Sequence, residues 1–416
     1  MAAGIAAAFR DDTLDLVEKI TANAPSDPLA VAEDEAFWSQ IQEAFMLDRN
    51  LINFNNGGCS PSPRVVHEVL KRQLDHSNQG PSYYMWRDLE PEIEATRRKL
   101  AGFFGADPEE IAITRNASES LEALLFGIDL EPGDEILTTT MDYPRMITTI
   151  KQRERRDRVK MVQVDPPAVP KNAKDLVDSV EKGITGKTKV ILCSHVSFLN
   201  GQIYPIRSIC ELGKKRGIPV IVDGAHAFSQ FPMSADGLGC EFYGTSLHKW
   251  TLAPVGTGML FIKKNRIKDI WPLFAATDAQ DENIRKFEEI GTHPAANHGA
   301  ILEAVTFTEM LGIERKAARY RALRKRWTEK LLNEPKIAFH TNLNPEHSCA
   351  ITTVEVKGVS ISDLVTYLQT KHNIFVVGID HPQFKGIRVT PNVYTTFQEI
   401  DRFADAMLTA ATKGIA

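Results

Sequence analysis

An α/β protein with a large, mostly parallel seven-stranded sheet and a smaller α+β domain at its C-terminal end is what this sequence predicts. Three observations carry that prediction. At 416 residues and 43% hydrophobic content, the chain exceeds one ordinary core, so a large and a small domain are expected. Short β-type runs alternate with helical segments through the middle of the chain: Ile111 to Thr114, Ile136 to Thr140, Val159 to Val164, Val190 to Cys193, Val220 to Asp223, Phe242 to Ser246 and Gly258 to Ile262. Crossover helices fit between most of these runs, as parallel pairing requires. After Gly299 the pattern changes to long helix and then to short mixed elements.

Residues 1–62 read as an N-terminal arm. Asp11 to Asn23 and Glu33 to Met46 have helical apolar spacing, and the turn-rich Asn53-Phe54-Asn55-Asn56-Gly57-Gly58 leads to Pro61 and Pro63. Residues 63–299 read as the large domain. It opens with Val65, Val66, Val69, Leu70 and Leu74 at helical spacing and a second helix over Pro91 to Phe104, with Pro91 suited to a helix start. Val190 to Cys193 and Val220 to Val222 are apolar on both alternations, as strands covered on both faces are. Residues 300–416 read as the small domain. A long helical stretch to Lys330 carries a solvated basic face between Glu314 and Arg326. Strands follow near Ala350 to Glu355, Ile374 to Val377 and Ile387 to Thr390, with helices near Ser362 to Lys371 and Phe397 to Ala411.

With 54 acidic against 49 basic residues and a net charge of -5, the chain has no basic field for nucleic acid or anionic membranes. A small-molecule partner is the better expectation. Cys59, Cys193, Cys210, Cys240 and Cys349 are scattered and never in a CxxC pair, which indicates neither a disulfide framework nor a metal site. No apolar run reaches the length of a membrane span. Read as written, the chain is a soluble cytoplasmic protein. If the alanine-rich Met1 to Phe9 is the stump of an export signal, the protein is periplasmic instead.

Three segments carry chemistry. Val220-Ile221-Val222 runs into Asp223-Gly224-Ala225-His226-Ala227. That puts a carboxylate at the C-terminal tip of a buried strand, where α/β sheets place ligands. Taken alone, Asp223 equally suits a cap for the next helix. Gly244-Thr245-Ser246-Leu247-His248-Lys249-Trp250 also leaves an apolar strand. Between Leu247 and Trp250, Lys249 is partly desolvated, which lowers its pKa and frees the amine for Schiff-base chemistry. Most lysines are only solvated charges, and the adjoining serine and histidine set this one apart. Thr114-Arg115-Asn116-Ala117-Ser118-Glu119-Ser120 opens the helical run Leu121 to Ile128. Its small and hydroxyl residues offer helix N-terminal N–H groups to a phosphate, or simply cap the helix through Ser118. Together the three segments make a cofactor site.

With these residues the chain resembles the class V aminotransferases, a branch of the fold-type-I pyridoxal phosphate enzymes that includes cysteine desulfurases and isopenicillin N epimerase-like proteins. The resemblance runs from Asn55-Asn56-Gly57-Gly58 to Arg388, and Asp223-Gly224-Ala225-His226 with Ser246-Leu247-His248-Lys249 is its most specific part. It implies pyridoxal 5'-phosphate bound covalently by Lys249, with Asp223 on the pyridine nitrogen and His226 near the ring oxygen. It places Ala117, Ser118, Ser246 and His248 on the phosphate, and Tyr143 of Asp142-Tyr143-Pro144 on the ring face, although Tyr143 also suits a core aromatic. Asn200, in Phe198-Leu199-Asn200-Gly201, stands where the epimerase-like branch usually has a threonine at the ring. Gly291-Thr292 matches the segment through which a neighbouring subunit reaches the phosphate, implying a homodimer with shared active sites. Arg388, in Gly386-Ile387-Arg388-Val389-Thr390-Pro391, matches the arginine that holds the substrate α-carboxylate, with Asn56 as a second substrate position; a surface ion pair is the plain alternative for Arg388.

The departures narrow the function. Desulfurases carry a nucleophilic cysteine before the carboxylate arginine, but Gly378-Ile379-Asp380-His381-Pro382 and its surroundings hold none, and Cys349 opens a predicted strand. Desulfuration through a persulfide is therefore disfavoured. No GxGxxG follows a strand and no GxSxG is present, which argues against a dinucleotide oxidoreductase and a hydrolase. The expected function is an enzyme acting on an amino acid, with transamination ahead of epimerisation or C–S lysis. A protein that keeps the fold without turnover is the rival of another class, and the intact Lys249, Asp223 and Arg388 argue against it. Cys59 reads as a buried, inert thiol near the substrate entrance. Tyr83, Tyr84 and Trp86 read as packing in a helix-turn region, with the pocket wall as the alternative.

Overall fold

The computed structural model describes residues 12–415. Met1 to Phe9, with the expectation of an export remnant, lies outside the described residues, as does the first residue of the helix expected from Asp11. Among the described residues, no helix is long and apolar enough to cross a membrane.

The arm opens with helices Asp12–Ala22, Pro28–Ala32 and Glu35–Gln42, the last capped by the Asp34 carboxylate, which accepts from Ala36 N and Phe37 N at 3.0 and 3.1 Å. Strand β1 (Ile52–Asn53) follows. The large sheet contains β2 (Ile111–Thr114), β3 (Glu135–Thr139), β4 (Lys160–Val164), β5 (Thr188–Ser194), β6 (Val220–Asp223), β7 (Phe242–Ser246) and β8 (Gly258–Ile262). Their spatial order is β2-β8-β7-β6-β5-β3-β4. Pairing is parallel from β4 through β7, because helices Pro144–Asp157, Ala173–Gly183, Ile206–Arg216 and Ala235–Leu238 return the chain between strands. No helix separates β7 from β8, so the chain reverses there and β8 runs antiparallel to both neighbours.

Register fixes what meets at the sheet edge. Asp223 pairs with Gly244, while Gly258 lies between Thr114 and Ser246. A Cβ on Gly258 would stand 2.7 Å from the Asn116 backbone, so only glycine lets the turn into helix Ala117–Gly127 settle beside the end of β7. The ends of β2, β6 and β7 thus converge with that helix's N-terminus.

The long helical stretch expected after Gly299 is two helices, Ala296–Leu311 and Ile313–Leu331, divided at Gly312, whose φ of 85° ends the first. The first carries Ile301, Val305 and Phe307 into the larger core with Leu100 and Phe104. The second carries Leu323, Trp327 and Leu331 into a separate core of the C-terminal region. That region adds β9 (Ile337–Phe339), β10 (Thr352–Val356), β11 (Ile374–Phe375), β12 (Val377–His381) and β13 (Phe384–Val389), with helices Ile361–His372 and Phe397–Lys413. Strands β12-β13-β10-β9 form an antiparallel sheet, and β11 pairs in parallel with β1. Strand β9 has no counterpart among the expected strands. Gly378 to His381, beyond the strand expected near Ile374 to Val377, pairs with Phe384 to Ile387 in a hairpin.

Candidate active site

Lys249 follows β7 by three residues, and its Nζ stands 3.2 Å from His226 Nε2. Burial lowers the Lys249 amine from its usual 10.5 to about 8; the negative charge of Asp223 opposes the shift and the positive charge of Arg388 adds to it. Such an amine is largely free at mildly alkaline pH. His226 is pushed well below the usual imidazole range by burial, then by Lys249 and Arg388, so it faces the amine as a neutral ring.

Asp223 is the last residue of β6 and accepts from Ala225 N at 2.9 Å. Burial raises its carboxyl from 3.8 to about 6, and among the described residues no cation lies within ion-pair distance of it. The Nδ1 of His226 is also buried without a hydrogen-bond partner. Gly57 closes this side, since a Cβ there would stand 3.1 Å from Thr390 Cγ2 and 3.5 Å from His226 Cε1.

At the opposite end, Ser246 Oγ accepts from Ala117 N at 3.0 Å, bringing β7 against the first turn of helix Ala117–Gly127. Asn116 caps that helix by accepting from Glu119 N. The cap is therefore Asn116, which leaves Ser118 beside the first-turn N–H groups, donors with no partner inside a helix. His248 is held by a 3.1 Å contact between its Nδ1 and Thr257 O, and burial lowers it to about 4. Thr292 lies on an exposed segment and lines a groove of about 690 Å³ with Trp86, Arg115 and Thr257. Tyr83 is also exposed, so the packing expected for Tyr83 and Trp86 is not what the structure shows.

Arg388, on β13, is the other isolated charge. Its Nη1 donates to Phe198 O and its Nη2 to Asn55 Oδ1, each at 2.9 Å, while Nε is buried without a partner. Burial lowers the guanidinium to about 10, and no carboxylate meets it among the described residues. Tyr143 is 44% exposed and packs edge-on against Phe198 at 5.3 Å, so it is not a core aromatic. The preceding Asp142 anchors it, with a carboxylate that accepts from Thr138 Oγ1, Thr139 N, Thr139 Oγ1 and Ser194 N.

Two expected contacts fall elsewhere. Asn56 is fully buried, donates to Asn53 O and Thr390 O, and accepts from Tyr394 OH, so it fastens the turn while its neighbour Asn55 reaches Arg388. Asn200 donates to Ala168 O at 2.7 Å and His340 O at 3.0 Å, which turns its amide into a tie between the two cores. Cys59 is exposed, against the expectation of a buried thiol. Cys349 is wholly buried beside Gln230 O and Ala317 O.

Pyridoxal phosphate fits this donor set. A buried carboxylate without a counter-charge suits a protonated ring nitrogen, a buried guanidinium without one suits a carboxylate, and a buried amine, electrostatically coupled to both, stands beside a histidine with an unpartnered ring nitrogen. Among the described residues, no cluster of His, Cys, Asp or Glu suits a metal ion.

A family model described as Aminotransferase class-V matches residues 52–403. The chain is 27% identical over 396 residues to the isopenicillin N epimerase of Streptomyces clavuligerus, covering 91% of this chain and 98% of that one. It is 24% identical to the hercynylcysteine sulfoxide lyase of Schizosaccharomyces pombe, covering 86% and 92%. Its fold matches a cysteine desulfurase from Escherichia coli with a TM-score of 0.79 at 20% identity, over 91% of this chain and 99% of that one.

Proposed function

From the premise that the chain belongs to the class-V aminotransferase family of pyridoxal phosphate enzymes, we propose that it is an aminotransferase acting on an α-amino acid. The observation that carries this reading is the Lys249–His226 pair, whose amine is coupled to two buried charges without counter-charges, Asp223 and Arg388. Bound there, pyridoxal phosphate supplies an electron sink that weakens the bonds at the substrate Cα.

The protein's own residues divide the remaining work. Arg388 and Asn55 hold the substrate carboxylate through donors that a carboxylate matches. Asp223 keeps a proton on the ring nitrogen. Ala117, Ser118, Ser246 and His248 hold the phosphate, joined by the partner subunit's Thr292 in a homodimer, and Tyr143 covers the ring face. Lys249 Nζ takes the Cα proton, with neutral His226 accepting from the amine and orienting it. Transamination needs one proton carrier on one face, and this pair provides it.

Epimerisation is the second reading, favoured by similarity to an isopenicillin N epimerase along nearly the whole chain. It requires a second proton carrier on the opposite face of the substrate. Incubating L-amino acids with the loaded protein in heavy water, without a keto acid, separates the two. Conversion to the pyridoxamine form supports transamination. Deuteration at Cα with loss of optical purity and no pyridoxamine form replaces it with epimerisation.

A further inference from the structure

Lys249 is flanked by two backbone carbonyls, and both are held by groups that trace to one helix. On the C-terminal side, Lys316 Nζ donates to Trp250 O at 2.6 Å. On the N-terminal side, His248 O accepts from Ser60 N at 3.0 Å. Ser60 Oγ accepts from Asn392 Nδ2 at 2.8 Å, and Asn392 Oδ1 accepts from Tyr320 OH at 3.0 Å. Lys316 and Tyr320 are one turn apart on helix Ile313–Leu331.

Lys316 has no evident reason to be a lysine otherwise. It is wholly buried, makes no ion pair among the described residues, and its other neighbour is Thr308 Oγ1 at 3.4 Å. Burial lowers its amine to about 7. A space of this kind is filled more cheaply by an apolar side chain. The segment it grips is constrained as well. Leu252 holds a φ of 66°, a conformation bulky residues rarely adopt, and so does Ser229 at 62°, whose Oγ meets Thr251 Oγ1 at 2.8 Å. A held carbonyl at Trp250 keeps this turn, and Lys249 with it, in place. The far end of the same helix lies in the C-terminal core, whose strand β13 carries Arg388.

We propose that Lys316 is a positioning residue for Lys249, and that helix Ile313–Leu331 holds the Lys249 segment from both sides, linking it to the region that carries Arg388. The proposal rests on Lys249 being the reactive lysine of the site, and it assigns Lys316 no contact with substrate or cofactor.

The test is the titration of Lys249 in the cofactor-free protein, read as pH-dependent acetylation of its peptide by mass spectrometry, in wild type, Lys316→Met and Lys316→Gln. Displacing Lys249 from Asp223, Arg388, His226, His248 and Cys59 changes the fields it feels. In Lys316→Met the midpoint should therefore move from about 8 by about one pH unit, with about a tenfold weaker hold on pyridoxal phosphate. Lys316→Gln, which keeps a donor for Trp250 O, should recover most of both. A merely space-filling lysine would give a Met variant of equal or greater thermal stability with Lys249 unchanged, and that result overturns the proposal. Should the Met variant not fold, Tyr320→Phe, which removes only the hydroxyl that begins the other chain of bonds, must shift the same midpoint; no shift overturns the proposal equally. Because the acetylation readout needs no cofactor, wild type failing to take up pyridoxal phosphate would sink the functional reading without being mistaken for failure of this one.

Discussion

Lys249 Nζ and His226 Nε2 lie 3.2 Å apart, and the burial that frees the amine also keeps the imidazole neutral. Only the unprotonated amine attacks an aldehyde. With Lys249 at about 8, uptake of pyridoxal phosphate by the cofactor-free protein should rise with pH to a midpoint near 8 and then level off, well short of the usual lysine value of 10.5. Arg388→Gln removes a positive charge that holds the amine down, so its midpoint should move upward. Rates of visible absorbance change against pH measure both.

Asp223 should be a liability until the cofactor arrives. Its folded-state value of about 6 lies above the unfolded 3.8, so the group costs stability. The cost is absent below 3.8, grows as pH rises to about 6 and is then fully present, at roughly 3 kcal/mol by linkage. Cofactor-free Asp223→Asn should therefore unfold at higher temperature than wild type at pH 7.5, with the advantage shrinking between pH 6 and 4. Adding pyridoxal phosphate should reverse that order. Turnover of Asp223→Asn should fall by about a hundredfold, ~2.7 kcal/mol in the barrier. Equal turnover would remove Asp223 from the ring nitrogen.

Arg388→Ala should raise KM for α-amino acids by about ten- to a hundredfold, consistent with ~1.5–3 kcal/mol for charge-assisted hydrogen bonds. Asn55→Ala, which removes the partner that holds one arm of the guanidinium, should act in the same direction and more weakly. Asn56→Ala should instead lower thermal stability, because its amide fastens the turn rather than facing the site. Amino-acid amides, lacking a carboxylate, should discriminate poorly between wild type and Arg388→Ala.

A homodimer with shared sites predicts complementation. Lys249→Ala and Thr292→Arg should each be inactive alone. Mixed under exchange conditions, they should regain about one quarter of wild-type activity, because half the dimers are mixed and each mixed dimer holds one intact site. No recovery despite demonstrated subunit exchange would place Thr292 outside the partner's site.

Much of this was legible in the sequence, for physical reasons. Strands Val220–Asp223 and Phe242–Ser246 were marked by apolar positions, and the residues leaving them landed at one end of the sheet, as their parallel pairing demands. What pattern could not reveal was side-chain direction in irregular backbone. Asn55 and Asn56 are adjacent amides of the same type, and only the turn decides that one reaches Arg388 while the other binds carbonyls. Asn200 was placed at the ring by family position, yet its amide is taken by two carbonyls remote in sequence. The hairpin of β12 and β13 runs beyond the strands expected near Ile374 to Val377 and Ile387 to Thr390, because Pro382 and Gly386 interrupt the apolar pattern although they sit at its turn and within its second strand. Lys316, Arg319 and Arg324 resembled their basic neighbours on a solvated face, yet all three are buried, and nothing in a run of charges marks those that point inward.

Everything proposed for the site depends on Lys249 being the lysine that binds pyridoxal phosphate. Borohydride reduction of the loaded wild-type protein, followed by peptide mapping, tests it directly. One pyridoxyl label is expected, on the peptide containing Ser246 to Trp250, with its loss in Lys249→Ala while the fold is retained. A label on Lys316 or any other lysine, or none on a protein that has visibly taken up the cofactor, would contradict it.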